Sequence, residues 1–114
     1  MTLTLADAII YHDLAQTIEV YQNTGESLED YDEYGYNPIV EATIFNKIDI
    51  VRWLLNQGVK ADNPDLTGRT ALHWACDNHN LTLVKLLLSH GADPNAYTHS
   101  RQPVLAFPFL RRQE

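Results

Sequence analysis

This chain of 114 residues has a single cysteine, Cys76, and no lysine or arginine before Lys47. One thiol can form neither an internal disulfide nor a multi-cysteine zinc site, so no cross-link or structural metal replaces a hydrophobic core. Long apolar runs are missing too. Nothing approaches the ~18 residues a bilayer span requires, and Asp7 interrupts the stretch from Leu3 to Ile10 where a secretory leader would stay apolar. These absences predict a cytoplasmic protein that does not associate with membranes. His12, His73, His79, His90 and His99 show no ligand spacing on one helix, and there is no glycine-rich phosphate loop. No metal site and no cofactor are expected.

The missing bases make the charge lopsided. Residues 1–46 carry nine acids and no lysine or arginine, whereas residues 47–114 carry eight bases and six acids, within a net charge of −7. A field of this sign repels nucleic acid and anionic membranes at the N-terminal end and favours a basic protein surface there.

Glycine is scarce, five in all, yet Gly25, Gly58 and Gly91 each close an apolar run and lie 33 residues apart. Asp32 and Asp65, Gly35 and Gly68, Ala42 and Ala75, Val51 and Val84, Leu54 and Leu87, and Leu55 and Leu88 keep the same step. Self-similarity at this period marks stacked units of a turn and two helices, an architecture built for binding before catalysis. Pro38 suits the first turn of a helix, where its missing N–H has no partner to lose. Asn46 and His79 stand where the chain turns between helices, and both residue types tolerate positive φ. Cys76 falls on an inner-helix face and is expected to be a buried small hydrophobe, so the pair His73 and Cys76 is not read as catalytic.

The clearest unit runs from Asp65 to Tyr97. Its segments Gly68-Arg69-Thr70-Ala71-Leu72-His73-Trp74-Ala75 and Leu83-Val84-Lys85-Leu86-Leu87-Leu88-Ser89-His90-Gly91-Ala92-Asp93-Pro94-Asn95-Ala96 closely resemble the ankyrin repeat family. The preceding unit, 32–64, keeps Gly35, Pro38 and Ala42 but has Asn37 and Val40 where the family has threonine and histidine, and Val59-Lys60-Ala61-Asp62 departs from the family's next hairpin. That hairpin is expected to be less regular. The resemblance implies an all-α ankyrin-repeat solenoid: an atypical capping repeat at 1–31, repeats at 32–64 and 65–97, and an incomplete fourth at 98–114. It also implies that Thr70 and His73 belong to a hydrogen-bond network tying one repeat to the next. Apolar residues from Val104 to Leu110 would lie uncovered at the end of such a stack, so the sequence is expected to be the N-terminal piece of a longer protein, with a C-terminal domain as one possible partner.

Members of this family usually meet partners on the concave side. Carried over by register, that surface comprises Tyr31, Glu33, Tyr34, Tyr36, Ile44 and Phe45 from the second unit. The third contributes Leu66, Thr67, Arg69, Asp77 and Asn78, and the next hairpin Tyr97 and His99. A patch of Tyr34, Tyr36 and Phe45 rimmed by Asp30 and Glu33 is suited to a segment bearing lysine or arginine, because tyrosine gives large contact area at low entropy cost. The other reading leaves only the tyrosines exposed, with Ile44 and Phe45 packed on the first repeat. The expected function is protein–protein recognition, as an adaptor or targeting module without catalysis. Two alternatives stay open: the substrate-recruiting front of a larger enzyme or secreted bacterial effector acting in host cytoplasm, and a small acidic inhibitor of a basic protein.

Overall fold

The computed structural model describes residues 3–95, and the expected fourth repeat at 98–114 lies outside them. Six helices follow in order: α1 (Leu5–Tyr11), α2 (Leu14–Thr24), α3 (Pro38–Ile44), α4 (Ile48–Asn56), α5 (Ala71–Asp77) and α6 (Leu81–Ser89). Among the described residues there is no strand.

Each helix begins where a short polar side chain can satisfy a free backbone N–H. Thr4, Asp13, Asn37, Thr70 and Asn80 all accept from the N–H three residues on; only Lys47, ahead of α4, makes no such bond. The inner helices α1, α3 and α5 have seven residues apiece, too few to persist alone, so packing must hold them. They pack side by side as one layer, and α2, α4 and α6 form a second, each helix lying against its sequence neighbour. Ile9, Ile39, Ile50, Leu54, Leu72, Leu83 and Leu87 fill the space between the layers and are fully buried.

The turns carry the stacking from pair to pair. Asn46 and His79 adopt φ of 57° and 55°, as their positions between helices require. The Asn80 side-chain amide donates to Asn46 Oδ1, and Lys47 Nζ donates to the His12 carbonyl at 3.0 Å, so the three turns are cross-tied. Tyr21 meets Trp53 edge-on at 5.6 Å in the outer layer, leaving Trp53 partly buried against the core.

The hairpin after Gly58 is regular, contrary to expectation. Val59 N–H donates to Leu54 O as Ala92 N–H donates to Leu87 O, and Val59 and Ala61 are buried. A branched apolar residue fits the slot that alanine holds in the next unit, so the departure from the family pattern does not loosen the chain.

A candidate recognition face and its acidic cleft

Two hairpins preceding α3 and α5 form the lip of the inner-helix layer, and each is organised by an aspartate. Asp32 Oδ1 accepts the backbone N–H groups of Tyr34 (2.9 Å) and Tyr36 (3.0 Å). Asp65 Oδ1 accepts those of Thr67 (2.9 Å) and Arg69 (3.0 Å), with the Thr67 hydroxyl as a third donor at 2.6 Å. Leu66 N–H donates to Gly35 O at 3.0 Å and joins the two hairpins. Gly35 has φ of +85°, and a Cβ there would come within 3.1 Å of Leu66 Cδ1, so glycine alone fits this crossing.

Asn37 and Thr70 occupy equivalent caps and solve them differently. Thr70 forms a capping box with His73, the imidazole Nδ1 accepting the Thr70 N–H at 3.1 Å. Asn37 accepts from Val40 N–H at 3.0 Å, and its Nδ2 donates to Asn63 O (3.1 Å) and Pro64 O (2.9 Å) of the following hairpin. One amide thus caps α3 and gives two bonds to the next unit, where a threonine hydroxyl has a single proton to donate.

The residues expected on this face divide by exposure. Tyr31, Tyr34, Phe45 and Leu66 are exposed, Tyr34 and Leu66 most of all at 67% and 59%. Glu33, Thr67, Asp77 and Asn78 are also exposed. Tyr36 and Ile44 are half-buried against the core. Tyr36 meets Trp74 edge-on at 6.0 Å, and the Arg69 guanidinium lies over the Trp74 ring, 4.4 Å from its centroid. Arg69 Nη2 is 3.9 Å from Asp77 Oδ2. Phe45 is the C-cap of α3, a helix about 10 Å long whose other end follows the hairpin of Tyr34 and Tyr36. Tyr97 and His99 lie outside the described residues.

The side chain nine positions after each aspartate separates the two hairpins most sharply. In the later one Trp74 Nε1–H donates to Asp65 Oδ2 at 3.1 Å. Burial alone would raise the Asp65 carboxyl, but the bonds from Thr67, Trp74 and the Arg69 backbone outweigh it and hold Asp65 below the ordinary carboxylate range. In the earlier hairpin that position is Glu41, only 2% exposed. Asp32 Oδ2 is buried with no N–H or hydroxyl donor in reach. Burial, then the Asp32 carboxylate beside it, then the charge of Asp7 push Glu41 up to about 9. At neutral pH it is therefore a carboxylic acid whose O–H donates to Asp32.

This pair closes the inner end of a cleft of about 330 Å³. Leu5, Ala6 and Pro38 supply its apolar wall, Tyr31 and Tyr36 its aromatic edges, and Glu26, Asp30, Asp32 and Glu41 its carboxyl groups; no base lines it. Glu26 is partly engaged, accepting the Leu5 N–H at 2.9 Å. At the hairpin tip Glu33, followed by a trace of burial and by Tyr11, raises the exposed Tyr34 phenol, as a negative field should. Tyr11, 75% exposed at the end of α1, is a surface aromatic that the register-based reading passed over. Among the described residues no three His, Cys, Asp or Glu side chains converge as a metal ion would need. Cys76 is buried, and burial pushes its thiol up to about 12, which keeps it from acting as a nucleophile.

Comparison with known proteins settles the class. The model for ankyrin repeats (3 copies) matches residues 5–98, and the chain belongs to the ankyrin repeat family. The solved structure of the Legionella effector AnkH superposes with a TM-score of 0.84 at 46% identity, covering 97% of this chain and 24% of that one. A chain from the complex of the Bdellovibrio bacteriovorus predatory endopeptidase Bd0816 with immunity protein Bd3460 gives 0.73 at 29% identity, covering 81% of this chain and 48% of that one. Palmitoyltransferase AKR1 of Naumovozyma castellii is 37% identical over 89 residues, 74% of this chain but 12% of that enzyme. This chain thus spans a small part of the curated relative's length and about a quarter of the effector's. Ankyrin repeats are protein-interaction modules, and no helix among the described residues is long and apolar enough to cross a membrane.

Proposed function

We propose that this chain is a protein-recognition module, with no catalysis of its own, whose first and second repeats engage a basic segment of a partner protein in the cytoplasm. We divide the described stack into repeats at 1–31, 32–64 and 65–97, of which the first two carry the basic-segment contact. One observation carries the reading: the cleft between α1, α3 and the Asp32 hairpin is lined by four carboxyl groups and no base, with Tyr31 on its lining and Tyr34 exposed on the same hairpin. A one-signed surface of this kind speeds encounter with an oppositely charged partner and excludes like-charged ones.

The contact surface we assign is Tyr31, Glu33 and Tyr34, continued by Leu66, Arg69 and Asp77. Tyr36, Ile44 and Phe45 contribute at its base and far edge and Thr67 and Asn78 beside it, while Tyr97 and His99 are included by sequence register alone. The likeness to the Legionella effector supports a refinement in which the module recruits a target for a larger effector within host cytoplasm. Likeness to a chain from the endopeptidase–immunity protein complex supports the other reading, an acidic inhibitor that covers a basic protein.

The test is hydrogen exchange on residues 1–114 with and without a partner recovered on it as bait, beside the variant Tyr31→Ala/Tyr34→Ala, chosen because both rings are exposed and carry no core packing. Protection confined to residues 26–45, lost in the variant, supports the reading. A partner that protects only the outer helices α2, α4 and α6 overturns it. Steep weakening with salt would favour the inhibitor, since exposed charges are screened beyond about 10 Å at 0.1 M ionic strength.

A further inference from the structure

We propose that the cleft beside the Asp32 hairpin is a receptor for one cationic side chain, arginine or lysine, of the partner segment, and that the Glu41–Asp32 pair releases a proton to solvent when the cation enters. The inference rests on the recognition reading above and deepens it.

Three independent features support it. First, Glu41 is 98% shielded yet lines the cleft, and among the described residues it receives no N–H or hydroxyl donor. Buried polar groups are ordinarily satisfied, and Asp32 Oδ2, which no N–H reaches, together with the Glu41 carboxyl beside it suits a group that brings several donors. Second, the equivalent position in the next unit is filled by a donor from the chain itself, the Trp74 indole on Asp65. The second unit lacks that donor and opens a cleft of about 330 Å³ instead, within the range of about 300–1,000 Å³ of small-ligand sites. Third, Tyr31 and Tyr36 stand at its sides, and aromatic faces beside carboxylates suit a guanidinium, which stacks while bonding two oxygens. A divalent metal fits less well, because no three ligating side chains converge.

The proton balance follows from the surroundings of Glu41. Asp32 faces it from the hairpin and Asp7 from α1; Glu26 and Asp30 share the cleft with the phenols of Tyr31 and Tyr36. In the free chain the Glu41 O–H donates to the Asp32 carboxylate. An entering cation donates to both carboxylates, the Glu41 O–H bond breaks, and the proton passes to water. One proton leaves per cation bound, so affinity rises about tenfold per pH unit wherever the empty pair is protonated.

Residues 1–114 would be titrated with three peptides, acetyl-Ala-Arg-Ala-amide, its lysine counterpart and its citrulline counterpart, at about pH 6, 7 and 8 and up to about 10 mM, following backbone amides and the Glu41 side-chain carboxyl by NMR. Expected are shifts at residues 26–41 and movement of the Glu41 carbon to its carboxylate position with the arginine or lysine peptide, affinity rising about tenfold per pH unit, and no response to citrulline. Which cationic peptide binds tighter identifies the cation. Glu41→Gln, expected to fold because its amide can donate to Asp32 as Trp74 does to Asp65, should lose the pH dependence and bind at least about tenfold more weakly. Absence of shifts at residues 26–41 with both cationic peptides at about pH 8 overturns the proposal, as does pH-independent binding or equal binding by Glu41→Gln. A partner protein that binds Glu41→Gln as tightly as the parent, with residues 26–45 still protected, also overturns the cation receptor while leaving the recognition reading intact.

Discussion

The hairpins at Asp32 and Asp65 share a backbone plan and differ most in chemistry at the ninth residue after each aspartate. Both aspartates gather two backbone N–H groups on Oδ1, and both hairpins lead into an inner helix of seven residues. In the later unit the free oxygen meets the Trp74 indole and the hairpin is closed from within. In the earlier unit it meets a second carboxyl group, Glu41, and a single proton holds the two apart from repulsion. The same backbone therefore carries one finished site and one unfinished one. Evenly spaced repeats can share a backbone plan and still differ in chemistry at a variable position, and the unfinished unit is the one to examine for binding.

The two hairpins should also respond oppositely to pH. Asp65 is held below its ordinary range, so its contribution is present above the ordinary value of 3.8 and is lost as acid protonates the folded carboxyl. Glu41 is raised from 4.5 to about 9, so between those values the folded chain keeps a proton that the unfolded chain has released. Stability from this group is fully present below 4.5 and declines as pH climbs toward 9.

The largest expected effect breaks the finished hairpin. Trp74→Ala removes the donor to Asp65, the platform under Arg69 and the ring against Tyr36, and should cost about 3–5 kcal/mol in urea unfolding; an unchanged midpoint would contradict the packing assigned to it. Asn37→Ala deletes a helix cap and two bonds to the next hairpin, for about 2–3 kcal/mol, and Thr70→Ala, which breaks the capping box with His73, should cost about 1 kcal/mol. Equal losses would show that Asn37 does not tie the units together. Glu41→Gln sharpens the comparison in the other direction. It gives Asp32 a donor without a proton to lose, and should raise stability by about 1–2 kcal/mol at neutral pH while leaving acid stability unchanged. A gain of the same size at pH below 4.5 would mean that proton linkage is not its source.

The stack itself was legible because it is written in spacing. Gly25, Gly58 and Gly91 mark the ends of the outer helices, and Asn46 and His79 take the positive φ that their places between helices demanded. The exposed tyrosines were legible from register, Tyr31 and Tyr34 lying open on the hairpin. Tyr36 and Ile44 were harder, because a residue on the concave side can still lean on the neighbouring unit; Tyr36 does so on Trp74. The cleft was not legible. Glu41 falls at a position the family leaves variable, and its burial is set by α1 and the hairpin, which no local pattern reports. One signal did exist: shifting the chain by 33 residues places Glu41 on Trp74 and Asp32 on Asp65, and a carboxyl group standing for an indole donor beside a carboxylate is a mismatch that invites a ligand or a proton.

The most direct measurement is the ¹³C titration of the Glu41 side-chain carboxyl in residues 1–114 from acid to alkaline pH. Glu41 should keep its proton through neutrality and titrate near 9, well apart from the exposed glutamates. A midpoint near 4.5 together with those glutamates would show that the pair shares no proton, and the contrast between the two hairpins would lose its chemical basis.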